Sequence, residues 1–74
     1  MRLSNGTQFS FNGHQYEVVS FQPIGEYDPA GYVVTDEDGN EDFIEALIAE
    51  GRASGTMTES QAQDHRHAYA NSYF

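Results

Sequence analysis

Lysine, cysteine and tryptophan are all missing from this chain of 74 residues. Three arginines stand against twelve Asp and Glu, for a formal net charge of −9. Between Arg2 and Arg52 there is no cationic Lys or Arg at all, yet that stretch holds ten carboxylates. Such a balance argues against direct contact with nucleic acid or an anionic membrane surface, since both bind through cations that displace counterions. It favours partners that are themselves basic. With no cysteine, disulfides and Cys-rich zinc sites are excluded, and a reducing, cytoplasmic setting is the expectation. Long apolar runs are also lacking. The best candidate, Phe43–Ala49, is interrupted by Glu45 and far too short to span a bilayer. The opening Met-Arg-Leu-Ser-Asn-Gly has no apolar stretch of signal-peptide length.

A chain of this size reads as one small domain, 1–74. It buries only about 60% of the surface its unfolded form exposes, so its core is marginal. Ten aromatics (five Tyr and five Phe) and a handful of Val, Ile and Leu must supply that core. The densest charge is between Asp36 and Glu45, where six of ten residues are acidic and none is basic.

Gln8-Phe9-Ser10-Phe11 alternates polar and apolar residues, the pattern of a half-buried strand. Asn12-Gly13 follows, a pair suited to a two-residue hairpin turn because both residues tolerate positive φ. A second strand, His14 to Phe21, then sets Phe11 opposite His14 and Phe9 opposite Tyr16. Pro23 to Gly31 reads as a loop, with Gly25, Pro29 and Gly31 as its breakers. Tyr32-Val33-Val34-Thr35 is the third strand, and Asp38-Gly39 is a second two-residue turn candidate. That turn would pair Val34 with Phe43 and Val33 with Ile44. A helix competes for the same residues. Asp42 and Glu45 form a potential capping box, and Phe43, Ile44, Leu47 and Ile48 share a helical face. The expectation is a short helix from Phe43 to Glu50, with a brief strand before it as the variant, Gly51 as its stop and Arg52 complementing its dipole.

Arg52 to Thr56 reads as a connector, with Ser54-Gly55 as a turn. Thr58 and Gln61 make a second capping box with Glu59 in the first turn, and the helix should run to Asn71. Its stripe Ala62, Arg66, Tyr69, Tyr73, flanked by Ala70 and Phe74, should pack on the sheet; an aromatic anchor for a partner or second copy is the alternative. The pattern as a whole is α+β: a small curled antiparallel sheet of three to five strands with one short and one C-terminal helix. The segments Gly6-Thr7-Gln8-Phe9 and Gly13-His14-Gln15-Tyr16-Glu17-Val18-Val19 resemble those of small barrels, the Src-homology-3-like type among them, a likeness of fold that implies no function.

Asp36-Glu37-Asp38-Gly39-Asn40 resembles the opening of an EF-hand calcium loop. Counted from Asp36, the first three ligands match, but Glu41 stands where Gly is required and Leu47 where Glu is required. Counted from Val34, Gly39 and Glu45 match, but the first ligand is lost. The segment is therefore read as an acidic hairpin tip able to attract cations only weakly. His65 and His67, on either side of Arg66, lie two apart on a helix and point to different faces, so no zinc site is expected there. The serines lack a nucleophile motif, and Gly51-Arg52-Ala53-Ser54-Gly55 lacks the spacing and the Lys of a phosphate loop. No catalytic residue, metal or cofactor is expected.

The function that composition favours is a non-enzymatic, acidic protein-binding module. Its candidate contacts are Glu26, Asp28, Asp36, Glu37, Asp38, Glu41, Asp42 and Glu45, carboxylates that would occupy the Lys and Arg positions of a nucleic-acid-binding partner. In size and charge the chain is similar to the class of phage and mobile-element DNA mimics that inhibit restriction or CRISPR systems, which implies a host cytoplasm as its location. Two alternatives stand beside it. One is a structural or assembly subunit of a salt-adapted organism or its virus, with the charge serving solvation and an aromatic surface making contacts or a homodimer. The other is a weak divalent-cation-binding domain.

Overall fold

The structure is a computed structural model that describes residues 2–23 and 30–72, with residues 67–72 described through their backbone alone. The expected loop between the second and third strands falls largely outside the described residues.

Four strands, β1 (Gln8–Phe11), β2 (His14–Gln22), β3 (Gly31–Thr35) and β4 (Glu41–Glu45), form one antiparallel sheet in the order β1-β2-β3-β4. Two helices follow, α1 (Ala46–Ser54) and α2 (Glu59–Ser72). The α+β expectation holds, with an open sheet in place of a closed barrel: β1 and β4 are its edges. Local chemistry covers both edges, as edge strands require. Arg52 donates to the Ser10 carbonyl at 2.8 Å and to Ser10 Oγ at 3.1 Å along β1. On β4, Asp42 Oδ1 accepts the N–H of Phe43 at 2.7 Å.

The first hairpin forms in the register its turn demands. Asn12 and Gly13 have φ of 56° and 80°, and Phe11↔His14 and Phe9↔Tyr16 are paired. Between β2 and β3 the ladder shifts at Val18/Ser20. The extra residue, Val19, leaves both Val18 and Phe21 on the side of Tyr32 and Val34, and Val19 itself is exposed.

The second hairpin differs from the two-residue expectation by one position. Val33 pairs with Phe43, Tyr32 with Ile44 and Val34 with Asp42. The cause is Asp36. Its Oδ1 accepts the N–H groups of Asp38 and Asn40, both at 2.9 Å, while its backbone N–H reaches the Asn40 carbonyl. Gly39, at φ 83°, then closes a three-residue loop in the left-handed conformation. This slip matters, because one residue of register exchanges the two faces of a strand. It sends Ile44 inward beside Tyr32.

The expected Asp42–Glu45 capping box does not form. Those residues belong to β4, whose pairing with β3 uses their backbone, and the helix begins only at Ala46. The Ala46 N–H goes to the Ala30 carbonyl, and the N-cap Glu45 makes no side-chain cap bond. Gly51 does not stop the helix either. It is buried within α1, where an added Cβ would lie 2.7 Å from Met57 Cβ, and the chain turns instead at Gly55, the left-handed C-cap. Arg52 does stand in the last turn, where a cation complements the dipole.

The capping box of α2 is as read: Thr58 N–H donates to Gln61 Oε1 at 2.8 Å, and Gln61 N–H donates to Thr58 Oγ1 at 3.1 Å. The expected packing of its stripe on the sheet is only partly seen. Ala62 is fully buried, α2 packs on α1, and Arg66 lies over the Phe11 ring with its guanidinium carbon 5.6 Å from the centroid. The side chains of Tyr69, Ala70, Tyr73 and Phe74 lie outside the described residues.

Phe9, Phe11, Tyr16, Val18, Tyr32, Val34 and Ile44 form the inner sheet face and meet Ile48, Ala49 and Ala62. The Tyr32 hydroxyl has a place in this core. It accepts the Leu3 N–H at 2.9 Å and donates to Glu50 Oε2 at 2.7 Å, joining the N-terminal segment, β3 and α1. Among the described residues no helix is long and apolar enough to cross a membrane.

Candidate functional site

The β3–β4 turn gathers most of the candidate carboxylates at one end of the sheet. Glu37, Asp38, Glu41 and Asp42 are exposed and Asp36 is half-buried. They do not play equal parts. Asp36 holds the turn together, and the backbone N–H groups of Asn40 and Asp38 keep its carboxyl below the usual range. Asp42 covers the β4 edge. Asp38 and Glu41 make no hydrogen bond through their side chains among the described residues, so their charge faces solvent.

Glu45, expected among the contacts, is buried at 8% exposure, with no hydrogen-bond partner for Oε2 among the described residues. The register explains this: paired with Gly31 at the junction of β4 and α1, it lies against the body of the molecule rather than on the turn. Glu26 and Asp28 lie outside the described residues.

One residue outside the expected contacts belongs here. His14, the first residue of β2, meets the acidic turn, with Nδ1 2.6 Å from Glu37 Oε1. The other oxygen, Glu37 Oε2, accepts the Gln15 N–H at 2.7 Å. β2 runs past the end of β3, and Glu37 takes the place that the next ladder partner of Gln15 would fill. The bond to Glu37 raises the His14 pKa above its ordinary value; burial opposes it, and the charges of Glu37, Asp36 and Asp38 add to the rise. In return, His14 and then the Gln15 N–H lower that of Glu37. Donor atoms of His14, Asp36 and Glu37 all lie within 4.8 Å of one another. The signal was present in outline: once β2 neighbours β3, the register Glu17↔Thr35 carries Glu37 to Gln15 and next to His14.

No arginine answers this charge. The Arg2 guanidinium sits 3.9 Å from the Phe21 ring centroid, Arg66 lies over Phe11, and Arg52 is bound to Ser10, to the Met57 carbonyl and to Glu59. Each is thus engaged within the fold, away from the turn. His65 is half-buried on α2, and the side chain of His67 lies outside the described residues.

Elsewhere, an open groove of about 280 Å³ runs between α1 and the segment before α2, lined by Leu47, Glu50, Gly51, Ser54, Thr56 and Met57. Leu47 is 58% exposed at its rim. The chain matches no known family model, and no curated protein or solved structure shows significant similarity to it.

Proposed function

We propose that this protein is a non-enzymatic binding module that docks its acidic turn, residues 36–42, on a basic surface of a protein partner, one that otherwise holds nucleic acid. The observation that carries this reading is the separation of charge. Glu37, Asp38, Glu41 and Asp42 are exposed on one turn, while all three arginines are committed to other contacts. A turn fixed by Asp36 and braced by Glu37 against Gln15 presents these charges at little conformational cost on binding. The mechanism is occlusion: carboxylates take the Lys and Arg positions that phosphates would occupy, and the real ligand is excluded. Partners of this kind act in the cytoplasm, in a host's if the chain is viral, as the resemblance to phage inhibitors of restriction and CRISPR systems implies.

The experiment is affinity capture from a host lysate at low and high salt. A mimic retains a nucleic-acid-binding protein at low ionic strength and releases it at 1 M salt, where the Debye length is about 3 Å. Retention that is indifferent to salt contradicts docking through charge.

A second reading, an assembly subunit, draws on the exposed Leu47 beside the groove that Met57 lines. It is distinguished by self-association: gel filtration would show an oligomer that Leu47→Ser dissolves, with no dependence on the acidic turn.

A further inference from the structure

The docking mechanism uses the turn carboxylates as charges and gives His14 no part. We propose that His14, Asp36 and Glu37 form a site for a borderline divalent ion of the zinc class, which clips the tip of the first hairpin to the turn of the second. The donor set is mixed, one imidazole with two carboxylates, and imidazole is the ligand that favours zinc, nickel or copper over calcium and magnesium. It is drawn from two hairpins that are 22 residues apart in sequence, so it is a product of the fold and not of the acidic run alone. The donor atoms lie within 4.8 Å of one another, against roughly 3.4 Å between ligands set tetrahedrally about 2.1 Å from an ion. The His14–Glu37 pair, now at 2.6 Å, opens to admit the ion.

Both carboxylates are already steered. Glu37 Oε2 is held by the Gln15 N–H and Asp36 Oδ1 by the N–H groups of Asp38 and Asn40, while Glu37 Oε1 faces His14 and Asp36 Oδ2 has a long 3.5 Å contact from Asn40 Nδ2. Outer hydrogen bonds of this kind orient the ligands of protein metal sites. The position between His14 Nδ1 and Glu37 Oε1 is bridged by a proton in the metal-free form, and the ion takes that position. A water molecule would complete four-coordination. The inference shares Asp36 and Glu37 with the docking turn but rests on a different observation, the approach of His14 to them from the first hairpin.

The test uses the full chain, stripped with chelator and titrated with zinc alone by calorimetry and by thermal melts. The expected result is saturable binding of one ion. At a free zinc concentration a hundred times the dissociation constant, the folding equilibrium shifts about a hundredfold toward the native state. His14→Ala abolishes the shift, a double His65→Ala and His67→Ala variant keeps it, and magnesium at the same concentration does not reproduce it. Asp36→Asn, which retains an oxygen to accept the two turn N–H groups, should remain folded with weakened binding. Absence of binding overturns the proposal. So does zinc binding that survives His14→Ala, or an equal response to magnesium, which would mark diffuse attraction to the acidic face.

Discussion

Tyr32→Phe removes one oxygen and keeps the ring, so it isolates the hydroxyl that joins three parts of the molecule. The side chain of Tyr32 is fully buried, and its hydroxyl accepts the Leu3 N–H while donating to Glu50. Without it, the buried Leu3 N–H loses its partner, at a cost of about 1–3 kcal/mol. The bond to a carboxylate is worth about 1.5–3 kcal/mol, the lower end applying because Glu50 is only half-buried and regains water. Together these give a loss of about 2.5–4.5 kcal/mol. A domain of 74 residues has a total stability of about 4–11 kcal/mol at the usual value per residue. The variant should therefore melt roughly 10–36 °C below the parent, at about 4–8 °C per kcal/mol. Urea and thermal denaturation followed by circular dichroism measure this directly. A Tyr32→Phe protein within about 0.5 kcal/mol of the parent would refute the reasoning, because it would show that the hydroxyl network carries no net stability.

Gly31→Ala should destabilise by about 1–3 kcal/mol in the same assay, since the new Cβ would fall 2.4 Å from Phe43 Cζ and 2.6 Å from the Ile44 carbonyl oxygen, so that β4 itself must shift. Thr58→Ala removes the side-chain half of the α2 capping box and should cost about 1 kcal/mol, read as a lower urea midpoint with an unchanged slope. Burial raises the pKa of both Tyr16 and Tyr32 above their ordinary 10.0. The unfolded tyrosines release protons first, so this contribution is complete below pH 10 and is lost as pH rises through the higher folded-state values. Melting temperature should accordingly fall with pH above 10, and Tyr32→Phe should flatten that fall.

The elements that were legible in the sequence are those whose cause is local. Asn12-Gly13 contains its own turn geometry, and with it the register of Phe9 on Tyr16. The Thr58–Gln61 box contains the start of α2. What was misread depended on competition between two local signals, settled by a third part of the chain. Asp38-Gly39 suits a two-residue turn, but the Asp36 carboxylate collects two N–H groups only if the loop has three residues, and that choice moves every pair in the ladder by one. Asp42 and Glu45 can cap a helix, but pairing with β3 satisfies the same backbone better, so the strand continues to Glu45. Gly51 looks like a helix stop until Met57 folds back on it and makes the missing side chain a packing requirement. The acidic turn was visible as composition. That it contains a structural member, Asp36, a bracing member, Glu37, and free members, Asp38 and Glu41, was not, because those roles depend on strand order. His14 entered the site for the same reason.

This division of roles defines the cleanest test of the docking account. Asp38→Lys with Glu41→Lys reverses two charges that make no hydrogen bond within the described fold, so the variant should melt like the parent. Asp36, which holds the turn, must be left alone. The measurement is competition: the partner retained by the parent at low salt is challenged with an oligonucleotide, and then offered to the double variant. The account predicts that the oligonucleotide displaces the parent and that the folded double variant fails to bind. A double variant that binds as well as the parent, or a parent that binds together with the oligonucleotide, would contradict it.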